Sequence, residues 1–449
     1  MISFPKLMNI LPKSGLPRKM IAAVLAQSAA WAPLLAADSG DLGRMLGELS
    51  PVYARLSPQS IRPAQGYIKY DYLIPAGYYD QMWDWDGFFI GCHLANQSPE
   101  QARYLKWWVL DFVGAVDADG YVAGCLTPKG PHPLFGKFAM KPFLAQGALI
   151  ASERLGDYEW LRSIWPSLCK VASYRERTQF DPSWGLFYWD NSMQSGADNN
   201  VALTNAEDDR SAILAVDLCT FQLREYKAMA MMAGKLGKAG EEAEYAKKAE
   251  ELRLAMLKHL WFARDATFFN VRRSNGEAVR RISYSNFVPL ICDILPKDDA
   301  HAMIRRYLLN PDHMLSHFGL RSLSKSDPDY NNVSMIKPYS NWRGPVWINA
   351  NYLYFIGLRR YGFDDEASQL AVTLGAMVLS DIGKWGSMHE NYNAETGEGL
   401  APTPDQSPGH VFRGFVGWNL LVEDMLQEAL NGRGGAIEMG AGGSGGHIP

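Results

Sequence analysis

The chain has 449 residues, of which 47% are hydrophobic, 12% aromatic and 20% charged, and 44 Lys and Arg residues against 48 Asp and Glu residues leave a formal charge of −4. A sizeable core is possible, and the length sets about three domains as an upper limit. No dense basic block occurs, so we expect no nucleic-acid partner. Five widely spaced cysteines without a C-x-x-C pair argue against a disulfide framework and a zinc knuckle. We interpret them as reduced thiols of a cytoplasmic protein.

The N-terminal segment allows more than one interpretation. Lys13, Arg18 and Lys19 precede a mostly apolar stretch over residues 20–37, which is similar to a secretory signal peptide. Polar residues and Pro33 interrupt this stretch, and it is short for a bilayer span, so we expect no membrane helix. An amphipathic surface helix is the alternative to a signal peptide.

From about residue 98 onward, the chain reads as a succession of helices. Ser98-Pro99-Glu100 is typical of a helix start, because Pro is favoured at the first helical position. The acids and lysines along 239–262 indicate a solvated outer face. Further helices are predicted at roughly 139–156, 158–178, 209–236, 239–262, 285–293, 297–309, 345–361, 364–382 and 413–430.

Long loops rich in Gly, Pro and aromatic residues separate the predicted helices. Aromatic loops longer than ~12–15 residues more often form a binding surface than a simple connection. No sharp linker divides the chain, so we predict one domain over residues 1–431, with an N-terminal extension to about residue 40. Residues 432–449 are predicted to be a flexible Gly-rich tail. The long loops are predicted at 66–90, 181–206, 324–344 and 385–412.

The densest cluster of candidate functional residues lies at 78–89, where six aromatic residues and three aspartates occur together. Aromatic faces stack on the C–H faces of sugar rings, and carboxylates accept hydrogen bonds from pairs of sugar hydroxyls. The composition therefore suits a carbohydrate pocket. A buried aromatic plug with aspartate caps is the structural alternative.

A second cluster, residues 339–347, places Arg343 between Trp342 and Trp347 just before a predicted helix. The planar guanidinium could clamp a pair of hydroxyls or a carboxylate. A salt bridge between helices is the alternative interpretation of Arg343.

Two loop carboxylates, Asp198 and Glu390, stand out only when four motifs are considered together. In chain order the four motifs are Met82-Trp83-Asp84-Trp85-Asp86, Ser195-Gly196-x-Asp198-Asn199, Trp342-Arg343-Gly344-Pro345-x-Trp347 and Glu390-Asn391-Tyr392. In this order they resemble the motifs of glycoside hydrolase family 63, and more distantly those of the trehalases, over roughly residues 65–430. Lys141-Pro142-Phe143 and Phe415-Val416-Gly417-Trp418 resemble further elements of that family.

The resemblance implies an all-α fold, the (α/α)6 barrel, with the site at the end that carries the long loops. It also implies an inverting α-glycosidase in which Asp198 is the general acid and Glu390 the general base. The compact length is similar to that of the family's mannosylglycerate and glucosylglycerate hydrolases. At Ala197 and Asn200 the sequence departs from the family pattern, which has a larger side chain and a Ser there. We place further residues around the sugar: Tyr79, Trp83, Trp85, Asp86, Lys141, Gln194, Trp342, Arg343 and Trp418.

The implied chemistry makes specific demands on the two acids. Inversion needs a protonated carboxyl near the glycosidic oxygen and an ionised carboxylate that holds water on the opposite face of the sugar, roughly 6.5–9.5 Å away. Asp198 must therefore keep its proton near neutral pH, whereas Glu390 must stay ionised. His389, beside Glu390, either tunes the base or makes a hydrogen bond within its loop.

The expected substrate is a small α-glucoside or α-mannoside. Neither a cofactor nor a metal is expected, since the nine His residues form no H-E-x-x-H motif. The oligomeric state is not indicated by the sequence. A sugar epimerase or isomerase on the same toroid would need paired His bases, and a non-catalytic sugar-binding protein would not need both acids.

Overall fold

The computed structural model describes residues 37–77, 79–132, 138–190, 192–203, 212–336, 340–402, 412–432 and 435–440. The predicted signal-like stretch before residue 37 lies outside them. Within the described part of the chain, no helix is long and apolar enough to cross a membrane. The helices found there are α1 Ser39–Leu56, α2 Asp84–Gln97, α3 Ala102–Gly114, α4 Leu144–Leu155, α5 Leu161–Gln179, α6 Ser192–Ser195, α7 Val216–Lys235, α8 Ala239–His259, α9 Tyr284–Phe287, α10 Lys297–Met303, α11 Ile348–Arg360, α12 Asp364–Trp385 and α13 Leu421–Asn431.

Six helical segments form a closed inner ring in which each segment packs against the next. Most of their residues are buried on every side, which is expected of helices surrounded by other helices. Gly87 and Gly91 allow close packing of α2 on α3, since a β-carbon at these positions would lie 2.4 Å from Trp108 and 2.8 Å from Leu105. In ring order the inner segments are α2, α4, α7, α9 with the 3-10 turn Val288–Cys292, α11 and α13.

The remaining long helices form an outer layer. Along the chain, inner and outer helices alternate, and the first helix, α1, packs as an outer helix on the last inner helix, α13. A short connection leads from each inner helix to the next outer one, whereas a long loop leads from each outer helix to the next inner one. The long loops therefore all lie at one end of the ring. The outer segments are α3, α5, α8, α10 with the π-helical turn Ile304–Leu308, α12 and α1.

Short antiparallel strands occur within the long loops. The larger sheets have the strand orders β3-β4-β5 and β11-β8-β7-β6. The first sheet fixes the approach to α2, because β3 pairs with β4 in a register that opposes Trp83 and Cys125. The strands are β1 Ile61–Arg62, β2 Tyr72–Leu73, β3 Met82–Trp83, β4 Cys125–Thr127, β5 Gly130–Pro131, β6 Phe180–Asp181, β7 Leu186–Trp189, β8 Ile213–Leu214, β9 Trp261–Phe262, β10 Thr267–Phe268, β11 Val271–Arg272, β12 Leu315–Ser316, β13 Gly319–Leu320, β14 Asn391–Tyr392 and β15 Gly399–Ala401.

The two concentric helical layers confirm the predicted all-α (α/α)6 class. Three helices of the described residues, α1, α2 and the short α6, were not predicted from the sequence. The prediction of a loop over 66–90 is wrong in its second half, because α2 begins at Asp84. Asp84, Trp85 and Asp86 thus form the first turn of an inner helix, directly after Trp83 of β3.

The described C-terminal residues extend the packing beyond the predicted boundary at 431. Ala436 and Ile437 are buried. The backbone N–H of Ala436 donates to Tyr352 Oη at 2.7 Å, and Arg224 of α7 donates to the carbonyl oxygen of Ile437. Residues 435–440 therefore belong to the folded structure.

Candidate active site

A cavity of about 320 Å³ opens at the end of the ring that carries the long loops. Five of the six segments that precede an inner helix contribute to its lining. Its described lining residues are Tyr79, Trp83, Asp84, Trp85, Asp86, Gly124, Cys125, His132, Phe138, Ala139, Lys141, Met193, Gln194, Gly196, Asp198, Ile336, Ser340, Trp347, Glu390 and Trp418.

Indole rings form much of the buried wall. Trp85 meets Trp418 edge to face with ring centroids 5.5 Å apart, and the rings of Trp347 and Trp418 are 6.0 Å apart. Trp342 lies behind this wall, stacked on Trp347 at 4.3 Å and tilted against Trp85 at 5.9 Å. The wall offers apolar ring faces of the kind that pack against a pyranose.

Glu390 lies in the cavity with only 6% of its surface exposed. The hydroxyl of Tyr79 donates to its carboxylate, with oxygen distances of 3.2 and 3.5 Å. The backbone N–H of Glu390 donates to the carbonyl oxygen of Ala401 at 2.5 Å, which pairs this segment with β15. These contacts fix both the backbone and the side chain of Glu390.

Asp198 lines the same cavity on a turn between α6 and β8. Gly196 has φ +82°, and a β-carbon there would lie 2.7 Å from the Trp85 ring and 2.9 Å from Lys141 Cε. Only glycine therefore lets this turn lie against Trp85 and Lys141. Burial raises the pKa of Asp198 to about 6, against the opposing effects of the Ser340 hydroxyl and the Lys141 ammonium. A raised pKa favours the protonated form that a general acid needs.

Lys141 and Asp84 form a buried ion pair in the cavity wall. Asp84 accepts from Lys141 Nζ at 3.1 Å and from the Lys141 backbone N–H at 2.7 Å. The ammonium also lies 5.1 Å from the Trp85 ring centroid. Burial and the nearby Asp84 charge raise the pKa of Asp86 to about 8. This shift favours the protonated form of Asp86, which can donate a hydrogen bond.

Most of the predicted site residues lie in this one cavity. Both predicted catalytic acids line it, although they are far apart in sequence. Gln194 lines it too, with its amide also bonded to Asp190 at 2.8 and 3.0 Å. The predicted sugar-binding residues in the lining are Tyr79, Trp83, Trp85, Asp86, Lys141, Gln194 and Trp418.

Trp342 and Arg343 are the two predicted sugar-binding residues that do not line the cavity. Arg343 Nε donates to the carbonyl oxygen of Asn199 at 3.1 Å, and its Nη1 lies 3.9 Å from Asp329. Arg343 thus connects the segment after Asp198 to its own loop. Neither partner lies on a helix, so these contacts join two loops and are not the salt bridge between helices given as the alternative.

Several lining residues were not among the predicted site residues. Asp84 and Trp347 stood inside the motifs, and their position beside predicted residues was the available signal. Ser340 stood inside the second cluster, residues 339–347, but it was not singled out there. The apolar residues Phe138, Met193 and Ile336 come from three separate loops, and no sequence signal connects them.

His389 does not line the cavity, although it is adjacent to Glu390. Its Nδ1 lies 2.9 Å from Asp381, and its ring stacks on Phe412 with centroids 4.5 Å apart. Of the two interpretations of His389, the contacts favour the hydrogen bond that holds its loop. Among the described residues, no group of three or more His, Cys, Asp or Glu is placed to hold a metal ion.

Comparisons with known proteins are consistent with this geometry. Residues 79–410 match the model of the "Mannosylglycerate hydrolase MGH1-like glycoside hydrolase domain". The solved structure of a GH63 mannosylglycerate hydrolase from Thermus thermophilus superposes with a TM-score of 0.62 at 19% identity, over 87% of this chain and all of that one. That likeness concerns the fold.

Sequence relatives include a mannosylglycerate hydrolase from Rubrobacter radiotolerans, 28% identical over 178 residues, or 39% of this chain and 37% of that one. A mannosyl-oligosaccharide glucosidase from Saccharomyces cerevisiae is 24% identical over 302 residues, or 61% of this chain. The matched part spans about a third of the length of these relatives, 37% and 34% respectively. Because the family model covers most of the chain, the chain belongs to the MGH1-like family of glycoside hydrolase domains.

Proposed function

We propose that this protein is an inverting α-glycoside hydrolase in which Asp198 is the general acid and Glu390 the general base. The observation that carries the proposal is that both carboxyl groups line one small cavity in different surroundings. Burial raises the pKa of Asp198 toward neutrality. Glu390, in contrast, accepts a hydrogen bond from the Tyr79 hydroxyl at 3.2 Å.

The proposed reaction uses the two acids on opposite faces of the sugar. Asp198 gives its proton to the glycosidic oxygen as the bond to the anomeric carbon breaks. Glu390 takes a proton from the water that attacks the same carbon from the other side. The product sugar then has the β configuration.

Other lining residues have supporting roles in this proposal. The indole wall packs against the pyranose and excludes water, which strengthens electrostatic interactions in the cavity. Protonated Asp86 donates a hydrogen bond to a sugar oxygen. Lys141 forms an ion pair with Asp84 and lowers the pKa of Asp198, the proposed general acid.

We propose a small α-glucoside or α-mannoside as the substrate, with glycosylglycerates among the candidates. The cavity volume lies at the small end of the ~300–1,000 Å³ that ligand pockets span. The names of the relatives point to both glucose and mannose as the cleaved sugar.

The test is a panel of substrates assayed for release of free sugar. It contains α-glucosides, α-mannosides and both glycosylglycerates, with the matching β-anomers as controls. We expect release from at least one α-linked compound and from no β-linked one. Binding of the α-linked compounds without release would instead indicate a sugar-binding protein.

A further inference from the structure

Asp381 lies on the outer helix α12, outside the cavity lining, but it holds the residues on both sides of Glu390. We propose that Asp381 is a positioning residue for the general base. This inference rests on the proposed function, because it assigns Asp381 a role in the step that Glu390 performs.

One carboxylate anchors both flanks of the base. Asp381 Oδ2 accepts from the backbone N–H of His389 at 2.8 Å, and both of its oxygens lie 2.9 Å from His389 Nδ1. The same Oδ2 accepts from the Tyr392 hydroxyl at 3.1 Å. His389 precedes Glu390, and Tyr392 follows it by two residues, so a shift of Asp381 would move both ends of the segment.

The rest of the segment is fixed by contacts that leave it little freedom. Asn419 Nδ2 donates to the carbonyl oxygen of His389 at 2.7 Å. Tyr392 and Val346 exchange backbone hydrogen bonds at 3.0 and 2.8 Å. A β-carbon at Gly399 would lie 2.1 Å from the His389 ring, so β15 packs directly on that ring. The imidazole of His389 is thus held between Asp381 and β15.

Burial makes this anchor costly to break. Asp381 is 6% exposed and His389 is 1% exposed. If one partner of a buried hydrogen-bonded pair is removed, the other is left without compensation, and the local structure rearranges. A displacement of about 1 Å at a catalytic group can cost about a hundredfold in rate. Because Asp381 and His389 do not line the cavity, their loss should affect the chemical step more than substrate binding.

The first experiment compares Asp381→Asn with a matched control, Asp424→Asn. Asp424 also forms a buried pair with a histidine, since its Oδ2 lies 2.7 Å from His93 Nδ1. That pair joins α2 to α13 and does not line the cavity. We expect kcat of Asp381→Asn to fall about 10-fold to 100-fold, with KM within about threefold of the wild type. Asp424→Asn should keep kcat within about threefold at a similar loss of melting temperature.

The second experiment separates the base from the acid with α-glucosyl and α-mannosyl fluoride. Fluoride departs with little help from a general acid, so a defect on the acid side should largely disappear with these substrates, whereas a defect on the base side should remain. Asn199→Ala provides the comparison, because Asn199 Oδ1 accepts from Trp342 N–H at 2.6 Å and so holds the segment after Asp198. We expect the rate of Asn199→Ala with the fluorides to approach that of the wild type, whereas the rate of Asp381→Asn should remain low.

The outcomes distinguish this inference from the proposed function. If the wild type cleaves neither α-glycosides nor the fluorides, the proposed function fails. If the wild type is active and Asp381→Asn behaves like Asp424→Asn, or recovers on the fluorides, only the positioning role is overturned. If Asp381→Asn does not fold, Tyr392→Phe removes a single hydrogen bond of the anchor. It should still lower kcat about three- to tenfold on both substrate types, and an unchanged kcat would overturn the inference.

Discussion

Asp198 and Glu390 share a cavity but differ in their neighbours. Asp198 lies near Lys141 and Ser340, whereas Glu390 accepts a hydrogen bond from the Tyr79 hydroxyl. If these are the acid and the base, Asp198→Asn and Glu390→Gln should each lower kcat at least about a hundredfold, the low end of general acid–base contributions. Steady-state kinetics with thermal melting checks this. A folded variant of either kind with near wild-type turnover would refute its assigned role.

The pH dependence follows from the raised pKa of Asp198. An acid with a pKa of about 6 loses its proton above that pH, so kcat/KM of the wild type should decline there. The Lys141 ammonium favours the ionised carboxylate, and its removal in Lys141→Met should raise that pKa and move the decline to higher pH. Lys141→Arg keeps the cation and should keep the profile. A decline at the same pH in Lys141→Met would show that Lys141 does not act on Asp198.

Individual site residues could be predicted only where a motif identified them. The motifs identified Asp198, Glu390 and the indole wall around Trp85, but they did not show which side chains face the cavity and which lie behind them. Trp342 stands in the same motif as Trp347, yet it stacks behind that residue, away from the cavity. Which of two stacked indoles faces the ligand depends on the packing of distant segments, and this information is absent from a local pattern.

The turn at Gly196 positions Asp198, the proposed general acid. An alanine at Gly196 would adopt an unfavourable positive φ and also contact Trp85 and Lys141. An alanine at Gly156, with φ +65°, would adopt similar backbone geometry, but it would have no atom within 4 Å. Gly156→Ala should cost about 1–2 kcal/mol of stability and leave kcat unchanged. Gly196→Ala should cost more, because its β-carbon also overlaps Trp85 and Lys141, and it should lower kcat by about tenfold or more. Denaturant unfolding and kinetics measure the two effects, and equal activity would contradict the role of the Gly196 turn.

The sequence predicted helices with a solvated face and also inner helices such as α11, which lies within the predicted 345–361. The outer helix α8 lies within the predicted 239–262, because its charged residues alternate with buried ones. The inner helix α2 was missed, since the acids and aromatic residues of its first turn were read as part of the loop over 66–90. Its Asp84 and Asp86 favour a loop when read locally, although acids in the first turn suit a helix N-terminus.

The segment 435–440 contacts three inner helices, α4, α7 and α11. Its contacts involve Arg224 and Tyr352, and the Gly440 N–H donates to Glu153 at 2.8 Å. Deletion of residues 435–440 would remove these hydrogen bonds and the packing of the buried side chains of Ala436 and Ile437. We expect a loss of about 2–5 kcal/mol in the free energy of unfolding. Chemical denaturation measures it, and an unchanged midpoint would show that the segment adds nothing to stability.

The architecture of the whole molecule was predictable only through the family resemblance. Composition and periodicity indicated helices and aromatic loops, but neither indicates a closed ring. The regular alternation of short and long connections explains why the motifs, although widely spaced in sequence, converge at one end. The same alternation places the N-termini of the inner helices toward the cavity.

The stereochemistry of the product tests the central claim most directly. Proton NMR during the first minutes of hydrolysis of a cleaved α-glycoside distinguishes the released anomers before they equilibrate. Water activated by Glu390 on the face opposite Asp198 predicts that the β-anomer accumulates first. Initial release of the α-anomer would mean a retained configuration and would contradict the assignment of these two residues as acid and base.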